Sequence, residues 1–469
     1  MSTFWPHSER LRLVTPHQRE QYAIATTGAL GIFGGNPGVG KTFTVAQIIS
    51  SVIDQGDGVS QIAAAAPTGK AAQRLNELLI EHGISNLTAT TIHRLLGVRR
   101  AGYDGKGWGF VYGKELPLPQ RYIFIDEASM LGTNLLASLL AALRPGHHLL
   151  LIGDFAQLPP VDHGAPLRDL IAAGIPYGEL TEPMRHEGDI VVACRDVKEG
   201  RPVRPSSRID VDEGHNLLHI EASTPNVVLH KLTRLLQHCP SDLDPIWDVQ
   251  VVCAVNESGE LSRKALNVVI QSILNPNGTA VEGMVFRLND KVICGTNQML
   301  PEVTCIHCNY GAEHVLWDGR IYRCDECDRQ IPVSELHPDF VANGEIGRVT
   351  LIEKNLIHVD FDSPRRTIRV AGNALNNWNL AYAITCHRGQ GSQWPIVCVV
   401  VDSNRGADMV TSFEWHRTAW SRAQRLCVTI GKLSTIHKQC RKSALKNRKT
   451  FLTELICKGE IDAKEMLQR

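Results

Sequence analysis

Gly35-Asn36-Pro37-Gly38-Val39-Gly40-Lys41-Thr42 follows the apolar run from Leu30 to Phe33 and opens an amphipathic helix through Val45, Ile48 and Ile49. A strand that turns through glycines into a helix is the setting of a phosphate-binding loop (P-loop): the glycines let backbone amides curl around phosphate, and the helix amino end adds positive potential. Lys41 then reaches the outer phosphates, and the Thr42 hydroxyl suits Mg²⁺. Gly35, Asn36, Pro37, Gly38, Val39, Gly40, Lys41 and Thr42 are therefore the expected ATP contacts.

About 85 positions further on, the apolar strand Tyr122 to Ile125 ends in Asp126 and Glu127. Alone, an acidic strand end reads equally well as a solvated surface. Beside a phosphate-binding loop, Asp126 suits the Mg²⁺ shell and Glu127 suits polarising the water that attacks the γ-phosphate.

Around this centre the chain alternates short apolar runs with helical segments. Leu30 to Phe33, Gln61 to Ala66, Tyr122 to Ile125 and His148 to Ile152 read as strands, and such alternation implies a parallel sheet covered by helices. Val249 to Ala254, Asn379 to Ile384, Ile396 to Val401 and Leu426 to Ile430 indicate a second α/β unit facing the first across a cleft. Lys291 to Cys294, Gly347 to Ile352 and Leu356 to Phe361 interrupt it and look like a small β-barrel insertion.

The length of 469 residues suggests about three domains. With 43% hydrophobic and 21% charged residues the composition is that of a soluble globular protein. No apolar stretch reaches the ~20 residues of a membrane span, and Met1 to Arg12 lack the apolar core of a secretory signal. A cytoplasmic, intracellular protein without membrane contact is expected. Lys+Arg and Asp+Glu both number 49, so net charge neither indicates nor excludes nucleic acid.

The ordered motifs resemble those of superfamily 1 helicases of the RecD-like and Dda-like (1B) branch. Leu13 to Gln18 resembles the motif whose glutamine reads adenine, and Ala66 to Ala72 resembles motif Ia. Thr90 to Leu96 is similar to the DNA-contacting motif that follows. Gly153 to Val161 is similar to motif III, Glu182 to Arg185 to motif IV, and Asn343 to Gly347 to the small β insertion of RecD-like enzymes. Ala383 to Ser392 resembles motif V and Thr418 to Ala423 motif VI, with departures at Arg388-Gly389 and Trp420-Ser421.

The resemblance implies two RecA-like P-loop NTPase domains with an SH3-like β insertion. It implies catalytic roles for Lys41, Glu127, Gln157, Arg185 and Arg422, with Gln18, Arg185 and Arg422 joining the ATP contacts. Pro67, Thr68, His93, Thr385 and His387 would line a single-strand path that tolerates any sequence. The implied activity is ATP-dependent 5′ to 3′ movement on single-stranded DNA with unwinding of forked duplex, in replication, recombination or repair alongside protein partners. An RNA-directed or protein-remodelling motor is the alternative, as is a nucleic-acid clamp without turnover.

Ala101 to Tyr112 places turn residues between aromatics and reads as a hairpin. In related helicases this position holds the duplex-splitting wedge, here Trp108 and Phe110. Of thirteen cysteines, nine sit singly in the sequence and read as reduced core residues. The other four, Cys305, Cys308, Cys324 and Cys327, have zinc-ribbon spacing, and four thiolates close a tetrahedral structural Zn²⁺ shell. The expected domains are 1–175 with the hairpin at about 97–118, 176–282, an insertion at 283–370 containing the ribbon 305–327, and 371–469.

Overall fold

The computed structural model describes residues 5, 13–36, 39–56, 58–100, 108–182, 188–300, 315–317, 322–324, 327–331, 339–362, 365–446, 448, 450 and 452–458. Six strands form the first sheet, in the spatial order Thr90–Thr91, Ile62–Ala66, Tyr122–Ile125, His148–Gly153, Leu30–Gly35, Tyr177–Leu180. All five pairings are parallel. Ile62–Ala66, Tyr122–Ile125 and His148–Gly153 are buried at every position, which explains their unbroken apolar runs. The helix Lys41–Asp54 covers one face through Val45, Ile48, Ile49 and Val52. Each of these side chains contributes about 2 kcal/mol of apolar burial. Because the strands run the same way, the loops after Gly35, Ile125 and Gly153 leave one common edge.

The second sheet is also parallel, in the order Ala383–Thr385, Val249–Cys253, Trp394–Val400, Ala423–Gly431, Leu217–Glu221. Asn379 to Ile384 is not a single strand: Trp378–Leu380 pairs antiparallel with Lys291–Cys294, whereas Ala383–Thr385 pairs parallel with Val249–Cys253. Ala381 and Tyr382 carry the chain between sheets, the Ala381 N–H donating to Lys291 O at 2.8 Å and the Tyr382 hydroxyl to Asp290 Oδ1 at 2.8 Å. The run is apolar throughout because both cores bury it.

A third, antiparallel sheet has the order Arg365–Ala371, Leu356–Asp362, Ile346–Glu353, Lys291–Cys294, Trp378–Leu380. Its last strand lies beyond residue 370. Leu356–Asp362 alternates buried and partly exposed positions, placing Ile357, Val359 and Phe361 in a core with Val292, Ile368 and Trp378. Val98–Arg100 pairs with Trp108–Phe110, so the expected hairpin is present, and residues 101–107 between its strands lie outside the described residues. Val315–Trp317, Tyr322–Cys324 and Gln330–Ile331 form a small antiparallel sheet within the cysteine-rich segment.

Lys291 is 1% exposed, donates to Ile246 O at 2.8 Å, and stands 5.6 Å from the Trp247 ring and 6.0 Å from that of Trp394. Burial, aided by the Lys70 cation, pulls its pKa down to about 7. Its folded pKa thus lies below the unfolded value, so the unfolded chain holds more protons from pH 7 to about 10, and stability rises with pH in that window. Lys291→Met should add on the order of a few kcal/mol below pH 7, with the gain shrinking as pH approaches 10. Urea midpoints across that range check this; a gain independent of pH would refute the buried-cation account.

The carboxyl-terminal segment returns from the second sheet to the first. Glu414 accepts from Ser443 Oγ at 2.6 Å and from the Ala444 N–H at 2.9 Å. Arg168 then donates to Leu445 O and Arg448 O, while Arg448 donates to Asp162 O and Gly164 O. Thr450 Oγ donates to Asp169 Oδ2 at 2.6 Å, and Leu452 packs against the first core. Among the described residues no helix is long and apolar enough to cross a membrane.

Candidate active site

The site forms where the common edge of the first sheet meets the helix Phe413–Trp420 of the second unit. Gly40 precedes the helix Lys41–Asp54 at φ 77°, a left-handed conformation that glycine adopts without strain. Lys41 Nζ folds back to donate to Gly35 O at 2.7 Å and Asn36 O at 2.9 Å. Burial depresses its pKa; Asp154, Glu127 and Asp126 oppose that fall, and Arg417 reinforces it. Pro37 and Gly38 lie outside the described residues, as does the side chain of Thr42.

Glu127 has φ 51° and ψ 39°, a conformation costing a non-glycine residue roughly 1–3 kcal/mol that persists only where the surroundings impose it. Its N–H donates to Asp126 Oδ1 at 2.9 Å. Burial and the neighbouring Glu127 charge raise the Asp126 pKa, against the pull of the Glu127 N–H, Arg74 and Lys41. A carboxyl pair desolvated in this way fits a cation.

Arg422 gathers the motifs. It is 3% exposed, its Nη1 lies 3.7 Å from Glu127 Oε1, and its Nη2 donates to Gln157 Oε1 at 3.4 Å. Nε donates to Thr418 O at 3.1 Å and Nη1 to Ser392 O at 3.4 Å. The Leu158 N–H donates to Thr418 Oγ at 2.9 Å, and Gln390 Nε2 to Leu158 O at 3.2 Å. Lys41, Asp126, Glu127, Gln157 and Arg422 are thus assembled around one junction. Arg185 lies outside the described residues.

Gln18 belongs to a capping box. Its N–H donates to Thr15 Oγ at 3.1 Å and its Oε1 accepts from the Thr15 N–H at 2.9 Å, which fixes the start of the helix Pro16–Ala25.

The expected strand-path residues fall into two groups. Pro67 and Thr68 precede the helix Gly69–Glu81, which Thr68 caps by accepting from the Ala71 N–H at 3.3 Å. A Cβ on Gly391 would stand 3.1 Å from Thr68 Oγ, so the turn after Thr385 and His387 lies against this cap. A Cβ on Gly69 would stand 2.7 Å from Glu345 Oε1, which puts the antiparallel sheet beside the same helix start. His93 belongs with the hairpin, its ring 6.0 Å from that of Phe110. Burial lowers the pKa of both His93 and His387, with the Arg448 charge adding to the effect at His387.

Two residues escaped the sequence reading. Arg74 is close enough to Asp126, Glu127 and Arg422 for their charges to act on it. Arg417 Nη2 bridges Asn36 Oδ1 at 2.8 Å and Asp154 Oδ2 at 2.7 Å. Arg74 could have been found from helix periodicity, four positions after Lys70. Arg417 lies just outside the Thr418 to Ala423 motif, 381 positions from Asn36, and carried no signal of its own.

The described residues contain no cluster of three or more metal-ligating side chains. Cys305 and Cys308 lie outside them, as does the Cys324 side chain; Cys327 is described, partly buried and outside any disulfide.

Residues 14–223 match the AAA domain family, and residues 380–430 match the UvrD-like helicase C-terminal domain. The ATP-dependent RecD2 DNA helicase of Deinococcus radiodurans is 31% identical over 378 residues, which is 79% of this chain and 43% of that protein. The RecBCD enzyme subunit RecD of Mycobacterium tuberculosis (strain ATCC 25618 / H37Rv) is 39% identical over 168 residues, 33% of this chain and 28% of that one. The chain therefore spans less than half the length of either relative. The crystal structure of a Pif1 helicase from Bacteroides in complex with ADP-AlF3 and single-stranded DNA has a TM-score of 0.45 at 17% identity, covering 88% of this chain and 92% of that one. With an AAA domain over its first parallel sheet and a UvrD-like helicase C-terminal segment over part of its second, the chain is similar to the RecD helicases.

Proposed function

We propose that the chain is an ATP-dependent DNA helicase that moves 5′ to 3′ along single-stranded DNA and unwinds forked duplex, working with replication or recombination proteins. The observation that carries this reading is the reach of Arg422, from the second unit, to Glu127 and Gln157 of the first. Such a contact makes transition-state charge stabilisation depend on how the two units meet, so hydrolysis and relative movement become one event.

In this reading Gly35 to Thr42 hold the phosphates, Gln18 reads the base, Glu127 activates the water, and Arg185 and Arg422 stabilise the developing charge. Thr42 and Asp126 hold Mg²⁺, which when bound offsets charge on the outer phosphates. Pro67, Thr68, His93, Thr385 and His387 contact the strand, and Trp108 and Phe110 form the wedge. Two RecA-like domains carry the motor: the first runs past the expected boundary at 175 to include the strand Tyr177–Leu180 of its sheet, and the second takes the chain from about 188 to 282 and from about 381 onward. The antiparallel sheet, which ends on Trp378–Leu380 beyond the expected 283–370, is an SH3-like insertion. A strand-displacement assay with 5′-tailed and 3′-tailed DNA forks tests the proposal: ATP-dependent release from 5′-tailed forks alone is expected, and absence of release from both would discard it.

The four cysteines are assigned to a structural zinc ribbon. In support, Cys324 ends a strand of the small antiparallel sheet and Cys327 lies in the turn that follows, before Asp328 at φ 55°. About 23 residues cannot bury an independent core, so metal binding would supply most of the folding free energy there, on the order of 10 kcal/mol. Zinc should copurify at one ion per chain, and Cys324→Ser should lose it while basal ATP hydrolysis stays within about twofold. Elemental analysis that finds no zinc in the wild-type protein would remove the site.

A further inference from the structure

Arg417 is fully buried on the helix Phe413–Trp420, yet it spends only part of its hydrogen-bonding capacity. Nη2 makes both contacts, to Asn36 Oδ1 and Asp154 Oδ2. Nε and Nη1 are buried with no partner among the described residues. The indoles of Trp415 and Trp420 on the same helix also lack partners among the described residues, but they are neutral, whereas a buried guanidinium bears the far larger cost of an incompletely solvated charge. Asp154 itself is held from two sides, its Oδ2 by Arg417 Nη2 and its Oδ1 by the Ala156 N–H at 3.0 Å.

The surroundings indicate what would complete the set. Asn36 belongs to the phosphate-binding loop, and its backbone oxygen accepts from Lys41 Nζ at 2.9 Å. Arg417 and Lys41 thus meet at one loop residue, and their like charges act on each other. Two converging cations with unspent donors match a polyanion. Arg422, five residues along the chain, approaches the Glu127 end of the same site, so one short segment of the second unit touches both ends.

We propose that Arg417 contacts the nucleotide phosphates directly, favouring nucleoside triphosphate over diphosphate. This rests on the ATP-binding reading above. The Nη2 bridge between Asn36 and Asp154 joins the two units, and a terminal phosphate would take the two unspent nitrogens.

The test separates this role from that of a buried brace. Arg417→Met strands Asp154 without its cation and should lower the unfolding midpoint, whereas Arg417→Met with Asp154→Asn removes both charges and should recover most of it. Binding is read with a fluorescent non-hydrolysable ATP analogue and with fluorescent ADP. The double variant should lose at least about tenfold in affinity for the triphosphate and less than about threefold for the diphosphate. Arg417→Lys, a second variant that keeps the charge but not the fork, should lose part of the triphosphate preference. Wild-type preference in both variants would overturn the proposal and leave a brace. Wild-type protein that binds neither nucleotide would instead overturn the ATP reading itself.

Discussion

Lys41→Ala or Glu127→Gln should lower nucleic-acid-stimulated ATP hydrolysis by about 10³-fold or more, because each removes a group that acts on the charge or the nucleophile of phosphoryl transfer. Lys41 already lies within its loop, holding Gly35 O and Asn36 O. Phosphate oxygens would replace those carbonyls as its partners, and nothing else in the loop carries a positive charge. Glu127→Gln keeps the shape and burial of the side chain, so its effect isolates the loss of a base. Thr68 and Gly391 meet beside the antiparallel sheet, and neither variant alters a strand-path residue, so single-strand affinity should change by less than about threefold in both. Steady-state phosphate release with and without an oligonucleotide, paired with fluorescence anisotropy, measures the two effects. Undiminished turnover in both variants would end the motor mechanism.

Arg422→Ala should reduce the maximal rate by about 10³-fold with little change in nucleotide affinity, at least as deep a loss as removal of Arg185. The guanidinium stands 3.7 Å from Glu127 Oε1, at the hydrolytic end of the site, so its influence grows as charge moves in the transition state. Arg422 also holds Thr418 O, Ser392 O and Gln157, and truncation alone could loosen the junction. Arg422→Lys therefore belongs beside it: a charge-only role predicts partial recovery of kcat, and a fork-dependent role predicts none. A KM that rises while kcat holds would show that Arg422 binds ground-state nucleotide, and the motif VI assignment would then be withdrawn.

The first sheet was legible because parallel strands buried on both faces must be apolar throughout, as in Tyr122–Ile125 and His148–Gly153. Edge strands were not. Leu217–Glu221 is half exposed and carries His219 and Glu221, and Arg365–Ala371 carries three arginines on an open edge, so neither shows an apolar run. The split of Asn379 to Ile384 was hidden for the opposite reason, since burial in two adjoining cores leaves no polar break. At the site, residues within ordered motifs could be named, and the structure assembles Lys41, Asp126, Glu127, Gln157 and Arg422. The Thr-Pro-x-Gln pattern that suggested base reading at Gln18 also spells a helix capping box, and the structure shows the box. Arg417 is the clearest omission: its partners lie 263 and 381 positions away, and only the meeting of two sheets reveals them.

The carboxyl-terminal return has a kinetic meaning. Through Arg168, Asp169 and Thr450 the second unit is joined to the first a second time, far along the chain from the covalent crossing near residue 182. Two bodies linked twice reapproach as an intramolecular reaction, at an effective concentration set by a short tether. If the Arg422 and Arg417 contacts broke, the halves would stay linked at two places, and re-forming those contacts would be an intramolecular step.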